Sequence, residues 1–553
     1  MLSKISEFFR VIGELKYIIP LLRYKFPDPD DNESLAHTFE RTVSKFGLRN
    51  FIYFEEETWT YSEVNQQANI LAKKLLDDGV SHGDRVILFM ENRPDFVISI
   101  IALNKIGAIG VLINTSLTGK PLIHCINSSD SKKCIVGAEL ADPLEEVLSE
   151  INIADKTDIY WVADGNKYRC PDWSLDLKNT LDNSSEIQVT ISDKVTAKDT
   201  AFYIFTSGTT GVPKAALFPN SKIIAASVNI VKGGYRLNEK DCMYNCLPLY
   251  HSTGLMLGLC ACIQAGAATF IRRKFSASMF WEEAKKFNTT AFVYVGELCR
   301  YLSFQDPTDN EQNNPISKMV GNGLRPDLWD CFRNRFNVNR IIEIYGASEG
   351  NALFMNLLNK DQTIGMTNAK VGIFEYDVAE DKLVKDSNDK YVEVEKNQPG
   401  LLLVEIGPNA VYNGYTDKKA SEEKVIHDVM VEGDRWFNTG DLVKTMDVGF
   451  SLGRTHYQFV DRVGDTFRWK SENVSTNEVA EILNGYDQVN MANVYGVKVA
   501  NSEGRAGMVA FNCDLAKFNW EDFSDFVSQK LPSYAQPVFL RIIEELETTG
   551  TFK

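Results

Sequence analysis

Between residues 203 and 214 the chain reads YIFTSGTTGVPK. An apolar run is followed by Thr206, Ser207, Gly208, Thr209, Thr210 and Gly211, and Lys214 closes the segment. Small residues let a backbone approach a phosphate closely. Glycines permit the positive-φ turns that aim several N–H groups at one anion. The hydroxyls add donors and Lys214 adds charge, so the segment suits a polyphosphate. It is not the GxxxxGK[ST] loop, because its glycines are three apart and the lysine does not follow the second. Read without context, the same residues could form an ordinary Gly/Thr-rich turn.

Two carboxylates stand in similar settings. YGASE at 345–349 follows a strand-like run, and its Glu349 offers the hard oxygen that Mg²⁺ prefers. Tyr345 could stack on a base. WFNTGDL at 436–442 sets Asp441 after a glycine turn, where a carboxylate could accept two hydrogen bonds from a ribose diol. Arg462, about twenty residues on, could donate to the same ribose or to a phosphate. Singly, each of these residues is more often structural.

The bulk properties narrow the class of partner. With 553 residues the chain needs two or more domains. A net charge of −16 excludes nucleic acid, so any anionic substrate must meet local positive charge. The ten cysteines lack paired CxxC spacing and read as reduced thiols of a cytosolic protein. No stretch is long and apolar enough to span a bilayer. Residues 1–25 carry charges inside the apolar region and do not read as a secretory signal. There Ile5, Phe8, Phe9, Ile12, Leu15, Ile19 and Leu22 recur at helical spacing. That stripe could lie in a membrane interface or pack on the protein's own surface.

The elements that must carry these residues alternate. A T-x-x-E pattern at Thr60 and Glu63 opens a helix over 60–74. Strands are predicted at 84–91, 108–113, 133–136 and 158–162, with a helix over 96–105. A polar connection spans 164–200. It leads to a strand at 200–205, a strand at 268–271, a helix at 278–287, a strand at 291–295 and a helix at 296–302. A polar loop covers 306–314. This is parallel α/β rhythm. From about 369 shorter strands appear at 370–376, 391–394, 401–406 and 456–460, as in a small β-rich subdomain. A hinge at 462–465 precedes a compact α+β unit with helices at 477–484 and 520–530 and strands at 491–497 and 506–512.

Together these motifs resemble the adenylate-forming superfamily of acyl-CoA synthetases, luciferases and peptide-synthetase adenylation domains. YIFTSGTTGVPKAA (203–216), LPLYHSTG (247–254), GNGLRPDLW (321–329), YGASEG (345–350), WFNTGDL (436–442), FVDRVGDTFRWKSENVSTNEV (459–479) and LPSYAQPVFLR (531–541) run in the family's order. YVGELCRYL (294–302), GNGLRPDLW, WKSENVST (469–476) and EGRAGM (503–508) are similar to the fatty acid transport protein branch, the long- and very-long-chain acyl-CoA synthetases.

The resemblance implies an α/β fold: a large adenylate-forming domain over 1–461 with parallel-type sheets and a small β-rich subdomain, and a small mobile α+β domain over 466–553. It implies that Thr206, Ser207, Gly208, Thr209, Thr210, Gly211 and Lys214 grip the ATP phosphates. Gly321, Asn322, Gly323, Leu324 and Tyr345 map to the adenine pocket, with Gly346, Ala347 and Ser348 beside it. Glu349, with Thr206, maps to the Mg²⁺ site, and Asp441 and Arg462 to the ribose. His251 maps to the acyl and pantetheine channel, and Lys553 to the catalytic lysine. Two departures follow. The family continues beyond that lysine, so the C-terminal unit is expected to be cut short. Ser471 stands where the branch usually has glycine, which is expected to hinder the thioester step.

The implied reaction is fatty acid activation by ATP and Mg²⁺ to acyl-AMP and pyrophosphate, then transfer to coenzyme A. Segments 255–262 and 293–302 are candidate walls of an apolar tunnel. Two other readings stay open: an adenylate-forming ligase for another acid or a carrier-protein acceptor, and a membrane-associated fatty acid transporter that acts without catalysis. A cytoplasmic protein is expected, with 1–25 as its candidate contact with the cytoplasmic face of a membrane.

Overall fold

The computed structural model describes residues 2–153, 155–165, 167–181, 187–206, 213–347, 350–378, 380–408, 410–469, 472–489, 491–499 and 505–543. The helix Pro94–Ile106 is buried along nearly its whole length. A helix that is apolar all round must be covered on every side. Here it packs on the helices Leu35–Phe46 and Tyr61–Asp77 and joins the largest core. Its Lys105 is also buried, held by Glu40 at 2.7 Å and Asn69 at 2.9 Å. The helix Tyr61–Asp77 starts at the expected capping box of Thr60 and Glu63.

Two large sheets carry the site. A seven-stranded sheet runs Leu175–Asp176, Ile159–Val162, Lys133–Gly137, Arg85–Phe89, Ile109–Leu112, Thr200–Thr206, Lys214–Pro219. All its pairs are parallel except the last. An eight-stranded sheet runs Phe354–Met355, Arg340–Tyr345, Lys318–Asn322, Ala291–Val295, Cys242–Asn245, Ala268–Ile271, Asn50–Phe54, Glu57–Thr60, antiparallel only at its two edges. A five-stranded antiparallel sheet follows, centred on the twelve-residue strand Arg435–Met446. Beyond it, the helices Thr476–Asn484 and Trp520–Lys530 pack on the sheet Met491–Val497, Ala506–Asn512, Phe539–Ile542 around a separate core. The large-plus-small arrangement expected from the sequence is present.

Three local expectations change. The expected loop at 306–314 contains the short helix Asp309–Gln312, because Glu311 is drawn inside by both Nε and Nη2 of Arg335, at 3.0 Å each. The expected strand at 391–394 makes only isolated bridges, Lys385 to Tyr391 and Phe374 to Glu393. The connection over 164–200 supplies an edge strand, Leu175–Asp176, to the seven-stranded sheet.

The N-terminal stripe forms a helix, Leu2–Leu22, but the stripe is not its packing face. The inward side carries Val11, Leu21 and polar residues. Glu14 is buried between Arg236 and Arg340, 3.1 Å from the latter, and Glu7 pairs with buried Lys360. Arg10 donates to the carbonyls of Leu358 and Asn359 at 2.8 and 2.9 Å. Burial pulls the Arg340 guanidinium down to about 10, with Glu14 opposing the shift. Ile5, Phe8, Phe9, Ile12, Ile19 and Leu22 are left exposed, Phe9 by 67%.

Removing one partner from a buried ion pair costs about 3–5 kcal/mol, because the other charge stays buried and unpaired. Glu14→Ala is therefore expected to release this helix. Limited proteolysis should cut within residues 2–22 of the variant while the wild-type helix resists. Equal resistance would show that the ion pairs do not hold it.

Candidate active site

The carboxyl ends of parallel strands lie along one edge, and ligand clefts form there. In this chain a cleft of about 1750 Å³ opens at that edge. The seven-stranded sheet contributes Thr206, and the eight-stranded sheet contributes Val295, Asn322 and Tyr345. Lys214 begins the strand opposite Thr206, whose hydroxyl lies 3.5 Å from the Lys214 carbonyl. His251, Asn322, Gly323, Leu324, Gly346, Ala347, Asp441 and Arg462 also line the cleft. Gly321 does not: it sits inside its strand, paired with Tyr294 and Glu343. Ser207, Gly208, Thr209, Thr210, Gly211, Ser348, Glu349, Ser471 and Lys553 lie outside the described residues.

Asp441 does not follow a simple turn, as expected, but sits inside the long strand Arg435–Met446. Leu401 pairs with Leu442 and Leu403 with Asn438, so the long strand carries extra residues opposite Leu402. This is a bulge, the device that re-aims a side chain without ending a strand. Gly440 has φ +72° there, a conformation that disfavours other residues. Asp441 is buried; it accepts the Tyr345 hydroxyl at 2.6 Å and lies 3.6 Å from Nε of exposed Arg462. Burial and the adjacent carboxylate both push the Tyr345 phenol upward. The Tyr345 ring, expected to stack on a base, packs edge-on against Phe354 at 5.4 Å.

The candidate tunnel walls are corrected in part. Of 293–302 only Val295 lines the cleft, and of 255–262 only Met256 and Leu257. Val293, Leu298, Leu255 and Leu259 are core instead. The missing wall is the helix Asn220–Asn229, whose Ala225 and Ala226 face the cleft with Ile230 just beyond it. Both Ile230–Tyr235 and Thr253–Cys260 are wide π-type turns, a form that recurs at functional sites.

Sequence reasoning missed four lining or anchoring groups. Lys222, Lys424 and Lys444 line the cleft with Lys214 and are cations that an anionic substrate could meet, although acids such as Glu423, Asp465 and Glu478 line it too. Asp461 is fully buried between the two units. Its Oδ2 accepts the Ser475 hydroxyl at 2.9 Å and the Thr476 N–H at 2.7 Å, while Oδ1 accepts the Asn477 amide at 2.7 Å. It thereby ties the strand His456–Arg462 to the first turn of the helix Thr476–Asn484. That helix lines the cleft through Asn477, Glu478 and Glu481, and Arg325 donates to the Glu481 carbonyl at 3.3 Å.

The fold is that of the adenylate-forming ligases. It superposes on the anthranilate CoA ligase AuaEII, solved with anthranoyl-AMP, with a TM-score of 0.77 and 18% identity over 96% of each chain. The sequence model of the AMP-binding enzyme family matches residues 39–416, and the chain belongs to that family. It is 37% identical to long-chain fatty acid transport protein 6 of Mus musculus, covering 99% of this chain and 88% of that one. It is also 37% identical to the medium/long-chain-fatty-acid–CoA ligase FadD6 of Mycobacterium tuberculosis, covering 95% and 85%.

Each buried donor left without an acceptor costs about 1–3 kcal/mol. Asp461→Ala leaves five donors without this acceptor, four of them on Ser475, Thr476 and Asn477 at the junction of the two units. Hydrogen exchange should rise in residues 475–478 of the variant while the strands of the large sheets keep their protection. Unchanged exchange at 475–478 would remove Asp461 from this role.

Proposed function

We propose that this chain is a fatty acid–CoA ligase that first joins the acid to AMP and then passes the acyl group to coenzyme A. One observation carries the reading. A single cleft joins a polar end bearing Thr206, Lys214, Tyr345 and Asp441 to an apolar wall of Ala225, Ala226, Ile230, Met256 and Leu257. Such a cleft suits a molecule with a charged head and a long aliphatic tail. The relatives named for long-chain fatty acids support that choice.

A carboxylate is a poor electrophile because it is anionic and resonance-stabilised. In the proposed first step its oxygen attacks the α-phosphorus of ATP in line, and pyrophosphate leaves. Ser207, Gly208, Thr209, Thr210 and Gly211 would hold the phosphates together with Thr206 and Lys214. Asp441 would accept from the ribose hydroxyls, with Tyr345 orienting it through the 2.6 Å bond and Arg462 adding charge. Asn322, Gly323 and Leu324 would face the adenine. The hard hydroxyl oxygen of Thr206 at the cleft fits Mg²⁺, which Thr206 and Glu349 would hold and which would neutralise charge on pyrophosphate. Lys553 would bridge the carboxylate and the α-phosphate. In the second step the coenzyme A thiolate attacks the acyl carbonyl and AMP leaves, along a channel past His251. Residues 466–553 would turn about a hinge at 462–465 between the steps. The helix Thr476–Asn484, which lines the cleft, would help to keep water from the adenylate.

The acid is tested with a panel from short and aromatic to very long fatty acids, with ATP, Mg²⁺ and coenzyme A. The expected result is pyrophosphate release and acyl-CoA formation that favour long chains. Preference for short or aromatic acids would overturn the reading of the apolar wall. Acyl-AMP without acyl-CoA would leave adenylation standing and reject the ligase.

The helix Leu2–Leu22 supports peripheral contact with a membrane. Among the described residues no helix is long and apolar enough to cross one. Its acids Glu7 and Glu14 are spent on inward ion pairs, so the exposed face presents Phe9, Ile19 and Leu22 beside Lys16, Arg23 and Lys25. Apolar side chains rimmed by cations suit an anionic lipid surface. Its far end packs Leu21 on Ile224 and Val228 of the helix that walls the cleft, and Phe26 reaches the cleft lining. This would set the acyl end of the cleft near the bilayer. Vesicles containing phosphatidylserine are expected to co-sediment the chain, and Phe9→Glu with Ile19→Glu to abolish this without loss of ligase activity on soluble acid. Equal sedimentation of the double variant would reject the contact.

A further inference from the structure

The wall of the cleft contains a buried carboxylate to which no motif assigns a role. Glu343 lies in the strand Arg340–Tyr345 and is 4% exposed. Its Oε1 accepts the Tyr294 hydroxyl at 2.6 Å and the Leu324 N–H at 2.9 Å. Its Oε2 accepts the Gly323 N–H at 3.0 Å. Two successive peptide N–H groups thus close on one carboxyl group, a concave donor arrangement. Gly323 has φ +79°, which turns both donors to the same side.

The loop is also held from behind. The helix Gly296–Ser303 begins directly beneath it, and a Cβ on Gly296 would stand 1.7 Å from the Gly323 carbonyl oxygen. Residues 323 and 324 are therefore clamped between backbone on one side and a carboxylate on the other. Burial pushes the Glu343 carboxyl up to about 7, against the pull of the Tyr294 hydroxyl and the two N–H groups. Ionising it is costly, and its hydrogen bonds are spent on ordering one loop and one phenol.

We propose that Glu343 is a positioning residue that shapes residues 322–324 for the adenine of the nucleotide. It sets the affinity for AMP and ATP while touching none of the reacting atoms. The proposal rests on the reading of 322–324 as the adenine side of the cleft. A carboxylate is needed because two oxygens must accept on two sides. In Glu343→Gln one oxygen becomes an NH₂ and meets either the Gly323 N–H or the donors on Oε1, donor against donor.

Calorimetry on the full chain at about pH 8, above this titration, separates the possibilities with two probes, AMP and pyrophosphate. Glu343→Gln is expected to weaken AMP about tenfold or more and to change pyrophosphate less than about twofold. Tyr294→Phe keeps both loop bonds and is expected to stay within about threefold for AMP. Unchanged AMP affinity in Glu343→Gln would overturn the proposal. So would an equal loss for pyrophosphate, which is the mark of general disruption. A wild-type chain that binds pyrophosphate but not AMP would overturn the adenine reading itself, and the proposal with it. If Glu343→Gln does not fold, Gly323→Ala replaces it. Its methyl has room, with the nearest atom at 3.7 Å, but its φ disturbs the same two donors, and the same pair of affinities decides.

Discussion

Parallel strands cannot be joined by tight turns, and this constraint organises the molecule. Each connection must cross back over a sheet face, so the carboxyl ends of the strands collect along one edge. Two sheets share a core around the helix Pro94–Ile106 and bring their edges to one cleft. Thr206 ends a strand of one sheet, and Asn322 and Tyr345 end strands of the other. Residues that are 116 and 23 positions apart in the chain meet for that reason alone. The third, antiparallel sheet then has to aim a side chain into the cleft from mid-strand, which the bulge at Gly440 does for Asp441.

Charge follows the same geometry. The chain is strongly negative, yet Lys214, Lys222, Lys424 and Lys444 face the cleft. Buried acids serve a different purpose from these half-buried cations. Glu14 holds a helix, Asp461 joins two units, and Glu343 closes on a loop. In each case a carboxylate out of water is matched to donors from a distant segment, which is how a buried charge is made tolerable.

Much of the architecture was legible from local pattern. Strands at Ala268–Ile271, Ala291–Val295, Met491–Val497 and Ala506–Asn512 and the helix Trp520–Lys530 match their expected bounds, because apolar run and turn residues agree there. The short helix Asp309–Gln312 was not legible, since Arg335 supplies its stabilising partner from outside the segment. The cleft wall on Asn220–Asn229 was missed because its small alanines look like any helix surface. Glu343 left a signal that went unused: a lone acid inside the buried run RIIEIY requires partners.

The sequence by itself determined the chemistry on offer. Motif order, the Gly/Thr-rich segment, the carboxylates at 349 and 441 and the α/β rhythm are all properties of short windows, and short windows are what residue type and spacing encode. Only the tertiary structure decided which face of the N-terminal helix is hidden and which carboxylate shapes the loop at 322–324. Glu14 finds Arg340 across 326 residues, and Glu343 finds Gly323 across 20 and Tyr294 across 49. Periodicity marks an apolar stripe, but ion pairs and hydrogen bonds to remote segments choose its direction. Turning the stripe inward would strip buried Arg340 and Lys360 of Glu14 and Glu7, a loss that local periodicity does not register.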